Sequence, residues 1–189
     1  AGMPFTDKLQ FADLGIGVLY YIALSGISVM GVITAGWASN NKYSLIGGMR
    51  SAAQMISYEV PLVMSVVGVV LMTGSLNLKD IVYAQQDMWN IIPQILGFGV
   101  FLIAAQAELN RSPFDLPEAE SELVAGYHVE YSGFRFAMFM LSENVYMFGM
   151  GALITILFLG GWLPIHPSLS FIPPIIWFIL KFMCYVFLQ

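Results

Sequence analysis

Residues 135–160 read RFAMFMLSENVYMFGMGALITILFLG, and after Arg135 the only charged residue in this stretch is Glu143. A helix that crosses a bilayer needs about 20 consecutive apolar residues, and this stretch supplies them. Charged residues make up 10% of the 189-residue chain, whereas an ordinary soluble domain carries about 25%. The sequence therefore predicts an integral membrane protein.

Four more apolar stretches resemble the first, so the candidate spans are residues 14–37, 60–76, 91–107, 135–160 and 171–188. A segment in the bilayer core must satisfy its backbone hydrogen bonds internally, which a helix does. We therefore expect an all-α fold: one polytopic membrane domain over residues 1–189, with about five transmembrane helices.

Net charge and cysteine content exclude two classes of function. Seven Lys and Arg residues against twelve Asp and Glu residues give a net charge of −5, so no basic surplus is present to bind nucleic acid phosphates. The single cysteine, Cys184, is too few for an intramolecular disulfide, a zinc site or an iron–sulfur cluster. We expect no nucleic acid partner and no metal site in this chain.

Basic residues orient the predicted spans, because loops rich in Lys and Arg face the cytoplasm. One side carries four basic residues and the other carries two: Lys42, Arg50, Arg111 and Arg135 against Lys8 and Lys79. The loop 108–134 then lies in the cytoplasm, and it contains half of the acidic residues of the chain.

The acidic loop contains DLPEAESE at residues 115–122. Asp115 can cap a helix, Pro117 suits the first turn, and Glu118 stands where it can complete a capping box. We expect a short helix over residues 116–126, with Asp115, Glu118 and Glu122 on one face and Glu120 pointing away. A solvated acidic loop is one interpretation. Its apolar flanks favour a lid packed at the membrane surface or against a partner.

Ionisable residues also lie within the apolar stretches. If residues 47–60 are helical, Glu59 shares an apolar face, and Pro61 is expected to bend or break the helix beside it. Glu143 lies about eight residues, or roughly 12 Å, into its span, and Lys181 lies near the middle of another. Such groups are functional candidates by default. Glu143 and Lys181 either pair or serve separate polar chains, and Glu59 has snorkelling at a helix end as its alternative.

Glu108 ends the third stretch, so acids run from bilayer depth to the cytoplasmic loop. Carboxyls placed in this way can share protons and titrate as a coupled set, which is the chemistry of a proton relay. His128 is a candidate member, with a hydrogen-bonded structural role as the alternative. Phe139, beside Glu143, is a candidate to line an apolar cavity, although lipid-facing or packing roles are commoner.

Three segments carry a resemblance to a known family: AELNRSPFDLPEAESELVAGYHVEY at 107–131, GWASNNKY at 36–43 and MISYEVPL at 55–62. Together they closely resemble the family of NADH dehydrogenase subunit 1, the quinone-proximal membrane subunit of respiratory complex I. The segment HVEYSGFR at 128–135 looks most like bacterial members of the Gram-positive type. Against that family the chain is expected to lack the first two helices with their connecting loop, and the last helix.

The resemblance implies a subunit that joins the membrane arm to the peripheral arm, forms much of the quinone tunnel and starts a proton path. Together with the candidates above it implies three groups of site residues. A proton relay would use Glu59, Glu108, Glu130 and Glu143. The quinone cavity or coupling loop would use Arg111, Asp115, Glu118, Glu120, Glu122 and Phe139, with Arg50, His128 and Lys181 as possible network partners.

The resemblance also implies cofactors and partners. Quinone, either menaquinone or ubiquinone, would be the substrate, and no cofactor would be covalently bound. The resemblance places FMN and iron–sulfur clusters in partner subunits. No Gly-rich dinucleotide fingerprint follows a strand here, so NADH is expected to bind elsewhere. The partners would be peripheral-arm quinone-site subunits, neighbouring small membrane subunits and the lipid of a bacterial plasma membrane. Alternatives are the membrane anchor of an energy-converting hydrogenase or F420H2 dehydrogenase, or a stand-alone proton or ion transporter.

The orientation is testable by labelling. In a Cys184→Ser background, Ser39→Cys and Ser121→Cys should each react with an impermeant maleimide only from the cytoplasmic side, because both follow the side rich in Lys and Arg. The measurement compares labelling of intact cells with labelling of inverted vesicles. Reaction in intact cells would overturn the orientation.

Overall fold

The computed structural model describes residues 3–7, 10, 12–111, 113–114, 126–164 and 171–188. Every regular element within these residues is helical, which confirms the predicted all-α class. The elements are α1 (Gly17–Ala38), α2 (Lys42–Thr73), α3 (Leu78–Tyr83), α4 (Ile95–Glu108), a 3-10 turn (Gly126–His128), α5 (Phe134–Phe158) and α6 (Pro174–Leu188). Of the helix expected over residues 116–126, all but the last residue lies outside the described part of the chain. Five residues discussed above also lie outside it: Lys8, Asp115, Glu118, Glu120 and Glu122.

Three of these helices, α1, α2 and α5, are long and apolar enough to cross a membrane. The helices α4 and α6 are also apolar but have 14 and 15 residues, so they rise only about 21 and 22 Å. A hydrocarbon core is about 30 Å thick. The helices α1, α2 and α5 are long enough to span that thickness. For the two shorter helices, crossing the membrane remains a prediction from the sequence.

The helix α2 corrects one expectation, because it runs unbroken through Pro61 for 32 residues. A proline removes one N–H donor and so deletes one bond of the helical ladder. In apolar helices this loss is tolerated where neighbouring groups satisfy the freed backbone. Of the bend or break expected at Pro61, the break does not occur, and Glu59 lies on a continuous helix.

One compact unit contains residues 1–22, 63–101 and 149–189. Its interior is organised by the fully buried side chain of Gln85. The amide nitrogen of Gln85 donates to the carbonyls of Ile81 (3.1 Å) and Ile156 (2.9 Å). Its amide oxygen accepts from the backbone N–H groups of Asn90 (3.3 Å) and Gly160 (3.0 Å). A single side chain thus ties α3 to the end of α5.

The end of α5 is defined by two successive glycines. Gly160 has φ +71° and Gly161 has φ +52°, a conformation that costs glycine little and other residues much. The N–H of Gly161 donates to the carbonyl of Thr155 at 2.8 Å, which satisfies one of the carbonyls left without a helical partner in the last turn. A Cβ on Gly161 would also lie 2.9 Å from Val82 Cγ2. The chain therefore turns sharply here.

The second compact unit contains residues 23–62 and 102–148. Its apolar core forms where α1 meets α2, and it comprises Val29, Ala52 and Met55 with Val32 and Ile33 packed against them. The two helices approach closely at glycines, since a Cβ on Gly36 would lie 3.2 Å from Gly48 Cα. Ala52 and Met55 belong to the face predicted to carry Glu59. That face therefore packs against α1.

Gln85→Leu tests the interior of the first unit. The substitution keeps the volume but leaves four backbone groups without the Gln85 amide, so we expect a loss of roughly 2–4 kcal/mol in unfolding free energy. The measurement is thermal unfolding of the detergent-purified protein, with Gln86→Leu at the exposed neighbouring position as control. Equal melting temperatures for the two variants would contradict the assignment.

Candidate functional site

A buried carboxyl lies at the end of α4. Glu108 is only 3% exposed, and its Oε1 accepts a hydrogen bond from the hydroxyl of Tyr146 on α5. Its Oε2 is also buried and has no hydrogen-bond partner among the described residues. The carboxylate of Glu59 on α2 lies near enough to act on Glu108 electrostatically. Glu108 thus has a phenol on one oxygen and a second acid within electrostatic reach.

The carboxylate of Glu59 occupies space left by a glycine. Gly26 lies on α1, and a Cβ built there would come 3.1 Å from Glu59 Oε1. Any larger residue at that position would crowd the carboxylate. The absence of a side chain at Gly26 therefore gives the half-buried Glu59 room beside α1.

A second acid pairs with a histidine. His128 Nε2 lies 3.3 Å from Glu143 Oε1, with the two side chains 4% and 34% exposed. His128 ends the 3-10 turn and lies over α5, where its ring centroid is 5.3 Å from that of Phe139. The ring of Phe139 also lies near the rings of Tyr127 (6.0 Å) and Tyr131 (4.8 Å). Aromatic packing therefore surrounds Phe139 and encloses one side of the imidazole.

The remaining site candidates of this unit that the structure describes lie at its surface. Glu130 is exposed, and its Oε1 accepts a hydrogen bond from Asn41 Nδ2 at 2.7 Å. Arg50 and Arg111 are also exposed. All four candidates for the proton relay therefore belong to the second unit. Glu59 acts electrostatically on Glu108, and Glu143 lies beside His128.

Lys181 has a different set of partners, all within the first unit. Its side chain is buried, and Nζ donates to the carbonyls of Leu159 (2.6 Å), Gly161 (3.1 Å) and Leu163 (2.7 Å). Nζ also lies 4.3 Å from the ring centroid of Trp89. Cations commonly stabilise the carbonyls at a helix C-terminus. Lys181 therefore stabilises the turn that follows α5.

Sequence reasoning missed Tyr146, which the structure places on Glu108. One signal was available, because Tyr146 follows Glu143 by three residues and residues at that spacing share a helix face. Sequence reasoning also missed Gly26, whose relation to Glu59 depends on how α1 and α2 pack. Contacts between separate helices are not readable from spacing along either one.

The whole chain is similar to proteins of one family. The family model described as NADH dehydrogenase matches residues 1–189. A subunit of NADH-quinone oxidoreductase from Brevibacillus brevis is 85% identical over 189 residues, which are 100% of this chain and 56% of that protein. Subunits of the same name from Anoxybacillus flavithermus and Bacillus thuringiensis are each 71% identical over 188 residues, again 100% of this chain and 56% of theirs. The chain thus spans about half the length of these relatives.

Lys181→Met and Glu143→Gln should act independently, since the two side chains have separate partners. Lys181→Met leaves three carbonyls without the ammonium group that donates to them. We therefore expect a lower melting temperature and a decrease of roughly 1–3 kcal/mol in the free energy of unfolding. Adding Glu143→Gln should restore none of that loss. The measurement is thermal unfolding of both single variants and the double variant. Recovery of stability in the double variant would indicate a Glu143–Lys181 ion pair instead.

Proposed function

The chain belongs to the NADH dehydrogenase family, and from this we propose that it works in the membrane arm of a proton-translocating NADH:quinone oxidoreductase. Its relatives are named as subunits of NADH-quinone oxidoreductase. Those names do not favour the hydrogenase, F420H2 dehydrogenase or stand-alone transporter alternatives. In this proposal the chain links quinone reduction to proton transfer.

The observation that carries the proposal is the buried hydrogen bond between Tyr146 and Glu108. Glu108 is shielded from water, and its second oxygen has no partner among the described residues. That oxygen is therefore available to accept a proton. The charge of Glu59 acts electrostatically on Glu108, so a proton path through Glu108 would respond to that neighbouring acid.

The Tyr146 hydroxyl can extend this set, because a phenol both donates and accepts hydrogen bonds. Tyr146 lies one helical turn beyond Glu143 on α5, and residues three apart lie close on a helix surface. Glu143 is in turn 3.3 Å from His128. We infer a proton path that joins Glu59 and Glu108 through Tyr146 to Glu143 and His128, with Glu130 nearer the surface.

The electron chemistry would take place with partner subunits. Electrons from NADH would arrive through FMN and iron–sulfur clusters held in those partners, and menaquinone or ubiquinone would be reduced at the interface. The acidic loop containing Asp115, Glu118, Glu120 and Glu122 would lie beside the quinone, with Arg111 at its start. Charge changes at the quinone would then act on the proton path. The bacterial plasma membrane would be the location.

Glu108→Gln and Tyr146→Phe test the proposed path while changing little of the shape. We expect Glu108→Gln to lower quinone-coupled proton pumping by at least about tenfold, since a positioned acid–base group typically contributes about a hundredfold or more. Tyr146→Phe should lower proton pumping severalfold, because the Glu108 carboxyl loses the hydroxyl that donates to it. Pumping is measured with a pH-sensitive dye in proteoliposomes that contain the purified complex.

The control for the tyrosine is Tyr20→Phe, at an exposed position on α1. Electron transfer from NADH to an artificial acceptor upstream of quinone should be unchanged in every variant, which shows that the complex is assembled. Wild-type pumping by Glu108→Gln would refute the proposed proton path.

A further inference from the structure

One face of α2 carries small and polar residues that the proton path does not use. Ser44, Gly47, Ser51 and Gln54 are spaced by three, four and three residues, and this spacing places them on a single helix face. We call these four residues the polar face of α2. It differs from the face that carries Ala52, Met55 and Glu59 and packs against α1.

Gln54 and Ser51 form one end of the polar face, and hydrogen bonds join this end to the sequence neighbours of Glu108. Gln54 Nε2 donates to three acceptors: the carbonyl of Ala107 (2.7 Å), Asn110 Oδ1 (3.1 Å) and the carbonyl of Phe114 (2.8 Å). Asn110 Nδ2 donates to the fully buried Ser51 at 2.9 Å. Ala107 directly precedes Glu108, and Asn110 follows it by two. The backbone of Glu108 is therefore held on both sides.

The other end of the polar face holds the residues that precede His128. The Ser44 hydroxyl, which is fully buried, donates to the carbonyl of Tyr127 at 3.2 Å. Gly47 lies so close to the 3-10 turn that a Cβ there would come 2.7 Å from Gly126 Cα. Contact at this distance is possible only for glycine. His128 directly follows Tyr127, so its backbone is fixed against α2.

We propose that the polar face of α2 is a positioning surface that sets where Glu108 and His128 lie along one helix. Proton transfer requires donor and acceptor atoms about 2.6–3.2 Å apart, and a displacement of about 1 Å can cost a hundredfold in rate. Two groups from distant parts of the chain keep such distances when both are attached to the same rigid element. This inference rests on the proposed proton path, and the contacts that carry it are made to sequence neighbours of Glu108 and His128.

Gln54→Met is the principal test, because methionine keeps the length of the side chain and removes both N–H donors. The full-length subunit is studied within its purified complex, reconstituted in proteoliposomes. We expect a severalfold decrease in protons pumped per quinone reduced, with unchanged electron transfer to an upstream artificial acceptor. Gln86→Met, at an exposed position, is the matched control and should behave as wild type.

Ser44→Ala provides a second variant at the opposite end of the face. It removes one buried hydroxyl donor and so loosens the backbone before His128. We expect fewer protons pumped per quinone reduced, whereas Ser57→Ala should leave that number unchanged. Ser57 is exposed on the same helix, and its hydroxyl donates to the carbonyl of Ala53 within that helix at 2.7 Å.

A double variant separates positioning from general structural support. If Gln54 acts through Glu108, Gln54→Met combined with Glu108→Gln should pump no worse than Glu108→Gln alone. A further multiplicative loss in the double variant would overturn the proposal. So would wild-type pumping by Gln54→Met, or failure of both Gln54→Met and Ser44→Ala to assemble, since the face would then be a folding determinant. Wild-type pumping by Glu108→Gln would instead refute the underlying proton path.

Discussion

The buried carboxyl of Glu108 is the constraint on which the second unit depends. A carboxyl removed from water is costly unless hydrogen bonds or a bound proton compensate. The unit meets this cost with one donor, the Tyr146 hydroxyl, while the other oxygen has no partner among the described residues. Donors for both oxygens would favour a permanently charged acid. One donor beside a second acid is the arrangement on which the proposed proton path rests.

Amide side chains carry out the same task in both units. Gln85 connects α3 to the turn after α5, and Gln54 connects α2 to the end of α4. In each case the amide satisfies backbone groups in the last turn of a helix or just beyond its end, where the helical ladder runs out of partners. Lys181 does so with a charge, through three carbonyls. Apolar helices need such residues because their own surfaces offer few donors.

Sequence reasoning succeeded where the signal is local. Long apolar stretches predicted α1 and α5, and the spacing of Ala52, Met55 and Glu59 predicted a shared face that does pack against a neighbouring helix. It allowed a break at Pro61 that does not occur, since α2 continues through this residue. It left the partners of Glu143 and Lys181 open, since each depends on a segment far away in sequence.

The sequence by itself determined the all-helical membrane character of this chain and the identity of its ionisable groups. Hydrophobic length and backbone hydrogen bonding act within each segment, so both can be read along the chain. Only the tertiary structure decided that Tyr146 contacts Glu108, that His128 contacts Glu143, and that Lys181 contacts backbone carbonyls. The physical reason is that a buried polar group takes whichever partner the packing of helices brings within about 3 Å, and that packing depends on residues from several segments at once.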